Sequence, residues 1–359
     1  MIKLDGAYME GGGQIVRNAL ALSAITGKGF EVDNIRKGRC KSGLKHQHLY
    51  CVKAVSELCD AEIEDVEIGS ERIKFIPRKL KAKNLEIDIE TAGSVTLLLQ
   101  SILIPAMFSN AAMSIQIRGG TDVNWSMPVD YLCNVFLPHL KKYASIDYRL
   151  VRRGYNPKGN GLLELTIRPK FKLKDFDSFE DFHKYLKQQK KINLVEQGKL
   201  QQIKGVSHAS KLLEKAKVAE RQADTAKLDL SKYNVPVEII SEYCETLSPG
   251  SGITLWAVFA DKEIDFDNPI RIGADALGER GKPSEEIGKE AVDNLAKEIK
   301  SGAPVDSHLE DNLIPFLGLF GGRIKVPEIT KHTLTNIYVT EQFLNVKFNV
   351  DEENKIISV

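Results

Sequence analysis

The sequence predicts an α+β fold of α/β layers, in which three βαβαββ units form a large domain and a smaller α/β domain is inserted in the third unit. Three observations lead there. Short apolar segments alternate with longer ones whose apolar residues recur at helical spacing. Their order (strand, helix, strand, helix, strand, strand) returns after about eighty residues, which is the mark of an internal repeat. A strongly charged stretch, residues 177–196, then separates a third partial copy from a long mixed segment.

The first unit is read as strands Ile2–Asp5, Phe30–Asn34, Glu62–Ile68 and Arg72–Ile76, with helices near 14–26 and 43–60. The second comprises strands Leu85–Glu90, Met113–Arg118, 146–152 and 162–168, with helices Ser94–Phe108 and 128–143. The third opens with strand Phe171–Leu173 and resumes late, as helix 307–320, strand Arg323–Val326, helix 333–343 and strands 345–350 and 355–358. Between them, a helix over 207–225, strands over 235–242, 252–260 and 263–273, and a helix over 284–300 make an α/β module. Residues 1–190 with 304–359 are therefore assigned to the large domain and 191–303 to the inserted one. Lys184, Lys187, Lys190 and Lys191 are read as a solvated helix face.

Bulk properties exclude several function classes. A length of 359 residues is enough for two buried cores. With 42% hydrophobic and 28% charged residues, the composition is that of a globular chain. A net charge of +1 argues against a protein that coats nucleic acid, while leaving room for a local basic patch. Five cysteines without CxxC or zinc spacing, and no recognisable signal peptide, fit a reducing cytoplasm. The longest apolar run, Val95–Phe108, is broken by Gln100 and is too short to span a bilayer.

The most informative motif is Glu10-Gly-Gly-Gly-Gln-Ile-Val-Arg17, between the first strand and the first helix. Glycines let the backbone approach a ligand, and a helix N-terminus favours anions. Glu10, Gln14 and Arg17 add a carboxylate, an amide and a guanidinium, a set suited to a metal-bound polyphosphate. Gln100 and Asp311 fall on the corresponding helices of the second and third units, so pseudo-symmetric packing would gather these helix starts into one cleft. Residues 35–48 place Arg36, Arg39 and other basic residues around two glycines, read either as a phosphate clamp or as a solvated loop. His46 and His48 are two apart without a third ligand, which argues against zinc. The turn Gly119-Gly-Thr-Asp122 is read as a structural corner more readily than as a nucleotide pocket, and residues 154–161 as a turn between adjacent strands. Lys331-His-Thr-Leu-Thr-Asn336 puts His332 at a helix entrance. A neutral imidazole can attack phosphorus, given cations nearby and an orienting partner such as Asp311. No GxxxxGK[ST] sequence is present, which disfavours a P-loop ATPase.

Together these stretches (LDGAYMEGGGQIVRNALALSAITGK, IRKGRCKSGLKHQHL, AGSVTLLLQ, RGGTDV, GYNPKGNG and HTLTNIYVTEQFLNVKF) closely resemble the RNA 3′-terminal phosphate cyclase family, from residue 3 to near 350. The resemblance implies the same three-unit domain with a small insert. It implies ATP-dependent conversion of an RNA 3′-phosphate to a 2′,3′-cyclic phosphodiester. A histidine takes AMP from ATP and releases pyrophosphate, the AMP passes to the RNA 3′-phosphate, and the neighbouring 2′-hydroxyl displaces it. The motif histidine falls on His332. Nucleotide contacts fall on Gln100, His308, Leu309, Glu310, Asp311 and Asn312. Phosphate and RNA contacts fall on Gln14, Arg17, Arg36, Arg39 and Gln47, and the metal-binding carboxylate on Glu10. ATP as co-substrate, a divalent Mg or Mn cation and RNA 3′-phosphate ends as partners are implied, with no membrane and an oligomeric state left open, a homodimer being the one option named. Asn160, Ser42 and His308 depart from the family's usual glycine, proline and aromatic. The competing class is a non-catalytic cyclase-like factor in RNA processing and ribosome assembly, which lacks the histidine.

Overall fold

The computed structural model describes residues 1–261 and 263–359. Along the first unit run β1 (Ile2–Asp5), α1 (Gln14–Thr26), β2 (Phe30–Asp33), α2 (His46–Cys59), β3 (Glu62–Glu64) and β4 (Ile73–Ile76). The second unit has β5 (Leu85–Asp88), α3 (Val95–Met107), β6 (Met113–Gly119), α4 (Val129–Tyr131), β7 (Ala144–Arg152) and β8 (Gly161–Pro169). A short helix α5 (Phe179–Leu186) and strand β9 (Ile192–Leu194) follow. The intervening module comprises β10 (Lys199–Ser210), α6 (Val218–Leu230), β11 (Val237–Cys244), β12 (Ser251–Ala260), β13 (Ile270–Leu277) and α7 (Ser284–Lys300). The chain closes with α8 (Leu309–Phe320), β14 (Gly322–Lys325), α9 (Lys331–Phe343), β15 (Asn349–Asp351) and β16 (Ile356–Ser358).

Three four-stranded sheets share one pairing pattern, β1-β2-β4-β3, β5-β6-β8-β7 and β9-β14-β16-β15. In each, the first two strands are parallel and the remaining pairs antiparallel. A parallel pair needs a crossover, and α1, α3 and α8 lie in those crossovers. They are apolar because they are enclosed: Gln14–Ile25 of α1 is buried on every face. Gly27, at φ 71°, ends α1 by donating its N–H to the Ser23 carbonyl.

The fourth sheet, β11-β10-β12-β13, belongs to the module. Every residue of β12 is buried, and strand alternation divides them between two cores. Ile253, Leu255, Ala257 and Phe259 pack with Ala223 of α6 and Ile287 and Leu295 of α7, whereas Trp256 and Val258 join the large core.

Several elements differ from expectation. The helix expected over 207–225 is the end of a twelve-residue strand, β10, followed by α6. Polar residues disguise its burial: Ser207, His208 and Ser210 are fully enclosed, and Ser207 Oγ donates to the Ala219 carbonyl at 2.7 Å. The strand expected at 263–273 lies at Ile270–Leu277. Phe171–Leu173 is not a strand. The first strand of the third sheet is β9, paired in parallel with β14 through Ile192↔Gly322, although residues 192–194 lie beyond the boundary expected at 190. The helix expected over 128–143 changes type, from α4 through a π-turn at Leu132–Phe136 to a 3₁₀ turn at Leu137–Leu140. Pro138 has no N–H for the Asn134 carbonyl, and Arg271 of β13 donates to that carbonyl instead at 2.8 Å. Of the lysine run, Lys184, Lys190 and Lys191 are exposed, as expected of a solvated face. No helix among the described residues is long and apolar enough to cross a membrane.

Candidate active site

The loop between β1 and α1 is shaped by two glycines. Gly11 takes φ +57°, and a Cβ on Gly13 would lie 2.0 Å from His48 Nε2. His48 therefore packs directly beneath the start of α1. Burial, with Arg17 and Arg36 nearby, holds His48 well below its usual pKa, so the ring is neutral, and its Nδ1 accepts from the Lys45 N–H at 3.1 Å. Tyr8 stacks on Tyr338 at 4.2 Å and ties the loop to α9.

His332 is the second residue of α9, whose N-cap Thr330 accepts from the Thr333 N–H. Its side chain is half exposed. Nδ1 meets Gln14 Oε1, and Gln14 Nε2 donates to the His332 carbonyl at 3.0 Å. That second bond fixes the amide: its NH2 must face the carbonyl, so its oxygen faces the ring. In the neutral ring Nδ1 then carries the proton, and Nε2 keeps a free lone pair. Nε2 lies 3.8 Å from Glu10 Oε1, and the same carboxylate oxygen pairs with Arg39 Nη2 at 2.5 Å. The orienting partner of the ring is thus Gln14, where the sequence pointed to Asp311.

Behind the histidine, amides join four helices. Arg17 Nε donates to Gln100 Oε1 at 2.8 Å, and Gln100 Nε2 to Asn312 Oδ1 at 2.6 Å. Asn18 donates to Asn336 Oδ1 at 2.7 Å, and Asn336 Nδ2 donates to the Asp311 carbonyl at 2.8 Å. That carbonyl is available because Pro315, one turn on, has no N–H. The proline therefore leaves an acceptor by which α8 is fastened to α9. The starts of α1 and α8 converge there, whereas α3 contributes its middle, from Gln100 to Ile104, and its own start lies on the other face beside Gln47. These helices border a narrow cleft of about 20 Å³ whose polar side is Gln14, Asn18, Gln100, Asp311, Asn312 and Asn336, and whose apolar side includes Phe136 and Phe316. Asn18, Asn336 and the two phenylalanines were not anticipated. The available signal was the spacing of four in Gln14/Asn18 and His332/Asn336, which puts each pair on one helix face.

Arg17 is buried, and burial lowers its pKa, with Cys51 and Asp311 opposing that shift and Arg36 adding to it. Burial raises Asp311, against the pull of His332, His308 and Arg17. His308 is exposed at the start of α8, edge-on to Tyr131 at 6.1 Å. Leu309 and Glu310 point inward and are fully buried. Glu310 Oε1 accepts from Thr330 Oγ1 and Thr333 Oγ1, both at 2.7 Å, so it clamps the first turn of α9. Burial pushes this carboxyl up to about 7.

Gln47 and Arg36 lie on a second face. Gln47 Oε1 accepts from the Ser94 N–H at 3.2 Å, joining α2 to the start of α3. Arg36, at φ +57°, donates Nη1 to the carbonyls of Lys41 and Gly43. Partial burial and neighbouring Arg39 lower Arg36, and desolvation with Arg36 and Lys41 lowers Lys45. These cations repel one another, a charge pattern that an anion would relieve.

Glu10 is the carboxylate nearest His332 Nε2, and its pairing with Arg39 leaves one oxygen outside that contact. One carboxylate with phosphate oxygens and water fits the way Mg²⁺ is commonly held. The acidic–histidine cluster found elsewhere among the described residues, Asp122, Asp130 and His208, has a different occupant: the Arg153 guanidinium lies 3.2 Å from Asp122 and 2.7 Å from Asp130. Asp122 thus gives the turn at 119–122 a structural role, and residues 154–161 connect β7 and β8 as expected. There Asn160, at φ +62°, accepts from Arg118 and Arg152 at 3.1 and 3.0 Å.

The sequence model of the family described as RNA 3′-terminal phosphate cyclase matches residues 8–350. A protein of Pyrococcus abyssi named RNA 3′-terminal phosphate cyclase is 44% identical over 354 residues, covering 98% of this chain and 96% of that protein. A protein of the same name from Pyrococcus furiosus is 43% identical over 98% of this chain and 95% of its own length. One from Methanosarcina barkeri is 41% identical, covering 100% of this chain and 99% of that protein.

Proposed function

This chain belongs to the RNA 3′-terminal phosphate cyclase family of enzymes, and we propose that it converts RNA 3′-phosphate ends to 2′,3′-cyclic phosphodiesters through a histidine–AMP adduct. The observation that carries the reading is the fixed amide of Gln14, which keeps the proton on Nδ1 of His332 and leaves Nε2 free as the nucleophile. Nε2 attacks the α-phosphorus of ATP, an N–P bond forms, and pyrophosphate leaves. An oxygen of the RNA 3′-phosphate then displaces the imidazole and takes the AMP. Finally the 2′-hydroxyl, held beside the activated phosphorus at high effective molarity, closes the ring and expels AMP.

The narrow cleft between α1, α3, α8 and α9, with apolar rings on one side and amides on the other, would have to widen to receive the nucleoside. Arg17 and Arg39 neutralise charge that builds on the phosphates. Glu10 would hold a Mg²⁺ or Mn²⁺ ion, which supplies further neutralisation of the triphosphate. Leu309 and Glu310 serve from below, as core and as the clamp on α9. Residues up to about 190 with 304–359 form the catalytic body, together with β9, and the module from 199 to 303 is the insert.

The test is an oligoribonucleotide ending in 3′-phosphate, incubated with ATP and divalent metal. Wild type should yield a phosphatase-resistant cyclic end. His332→Ala should lose at least about 10³-fold in rate with its fold retained. Equal activity in the variant would sink the covalent mechanism. Intact 3′-phosphate after incubation with wild type would remove the cyclase assignment.

A further inference from the structure

Beside the candidate active site a second, open groove of about 460 Å³ runs between the start of α2 and the start of α3. It includes His48, which packs under the glycine loop, with Arg36 and Gln47, and continues past Lys45 and His46 to Trp125 and Asn156. None of its described lining residues is Asp or Glu, and Arg36 and Lys45 make the end near α2 positive. Trp125 stands at its edge with 94% of its surface in solvent and its backbone at φ +66°. Neither fact suits a core residue. A left-handed backbone is unfavourable for so large a side chain, and the exposed indole gains nothing from packing. The other tryptophan, Trp256, is buried between β12 and the large core.

We propose that this groove carries the RNA strand leading to its 3′ end, with Trp125 as the platform on which a nucleobase of that strand stacks. The inference rests on the reading that an RNA 3′-phosphate is the substrate. Arg36, Lys45 and His46 face the backbone, and the indole offers a flat π surface that accepts any base. Cationic track and aromatic face together are the combination by which single strands are held without sequence preference. The terminal phosphate lies at the Arg36 and Gln47 end, and the preceding nucleotides extend toward Trp125.

The test uses the full chain and a short oligoribonucleotide with a 3′-phosphate, followed by tryptophan fluorescence and by titration. Label transfer from α-labelled ATP to the protein is measured in parallel. In wild type the oligonucleotide should quench the exposed tryptophan. Trp125→Ala should bind about tenfold more weakly, as expected on losing one base–aromatic stack. Its KM for the oligonucleotide should rise with kcat little changed, label transfer should be unaltered, and Trp125→Phe should restore binding. Trp125→Ala binding as tightly as wild type, with label transfer intact, would overturn the stacking platform and leave the cyclase reading standing. Label transfer without any oligonucleotide binding would overturn the groove as an RNA path. Neither label nor binding in folded wild type would overturn both.

Discussion

Two guanidiniums are buried among the described residues, and they are held in opposite ways. Arg153 is enclosed by carboxylates: Asp122 at 3.2 Å, Asp130 at 2.7 Å and Glu242 at 2.6 Å. Burial opposes its charge, yet Asp130, Asp122 and Glu242 keep its pKa well above the usual value. Arg17 makes no carboxylate ion pair among the described residues. Its Nε donates to the neutral Gln100 amide, and burial lowers its pKa. Glu242 lies on β11 of the module and Arg153 just after β7, so the compensated arginine is a clasp between the two bodies. The uncompensated one lies beneath the glycine loop, bonded to Gln100 of the cleft wall. A buried charge left without a counter-charge costs stability, and the chain tolerates that cost where an anionic substrate would complete the pair.

This contrast can be broken from both sides. Arg153→Met should destabilise the fold by about 3–5 kcal/mol in chemical denaturation, since Asp122 and Asp130 would remain buried without their cation. Arg17→Met should leave stability unchanged or raised, because an unpaired charge is removed, while AMP transfer slows by about 10²–10³-fold. If both variants lost stability equally, Arg17 would be structural and the distinction would fail. A smaller effect sharpens the role of Glu310. Its folded-state pKa of about 7 stands above the ordinary 4.5, so over that window the folded state keeps a proton that the unfolded chain releases. This group therefore makes stability fall as pH rises from about 4.5 to about 7, with no further loss above. Glu310→Gln, which keeps the acceptor for Thr330 and Thr333, should remove that slope and gain on wild type toward pH 8. Identical pH profiles in the two proteins would show that Glu310 is ionised in the folded state.

The two regions also differ in how much of them could be read beforehand. Around the glycine loop the signal is local: Glu10, Gln14 and Arg17 sit within one short segment, and the apolar run of α1 shows where the helix begins. The recurrence of strand and helix order placed Gln100 and Asp311 on α3 and α8 before any coordinates. The partner of His332 was not legible in the same way. Gln14 and His332 are 318 residues apart, as are Asn18 and Asn336, so no spacing rule connects them. Nor does the sequence show that the missing N–H of Pro315 leaves the acceptor that Asn336 uses. In the module the difficulty was polarity. β10 buries Ser207, His208 and Ser210, with Ser207 and His208 bonded to side chains of neighbouring elements, so its burial exceeds its hydrophobicity and the strand read as helix. The Arg153 clasp is likewise assembled from Asp122, Asp130, His208 and Glu242 on separate elements. A sequence gives each of those residues an ordinary surface reading.

The central claim is that Nε2 of His332, freed by Gln14, accepts AMP. Its most direct test is to incubate the wild-type chain with α-labelled ATP and divalent metal, digest it, and locate the label by tandem mass spectrometry. The account predicts acid-labile, alkali-stable AMP on the peptide carrying His332. AMP on a lysine, whose phosphoramidate is equally acid-labile, AMP in acid-stable ester linkage to a hydroxyl side chain, or no label on folded protein would contradict it.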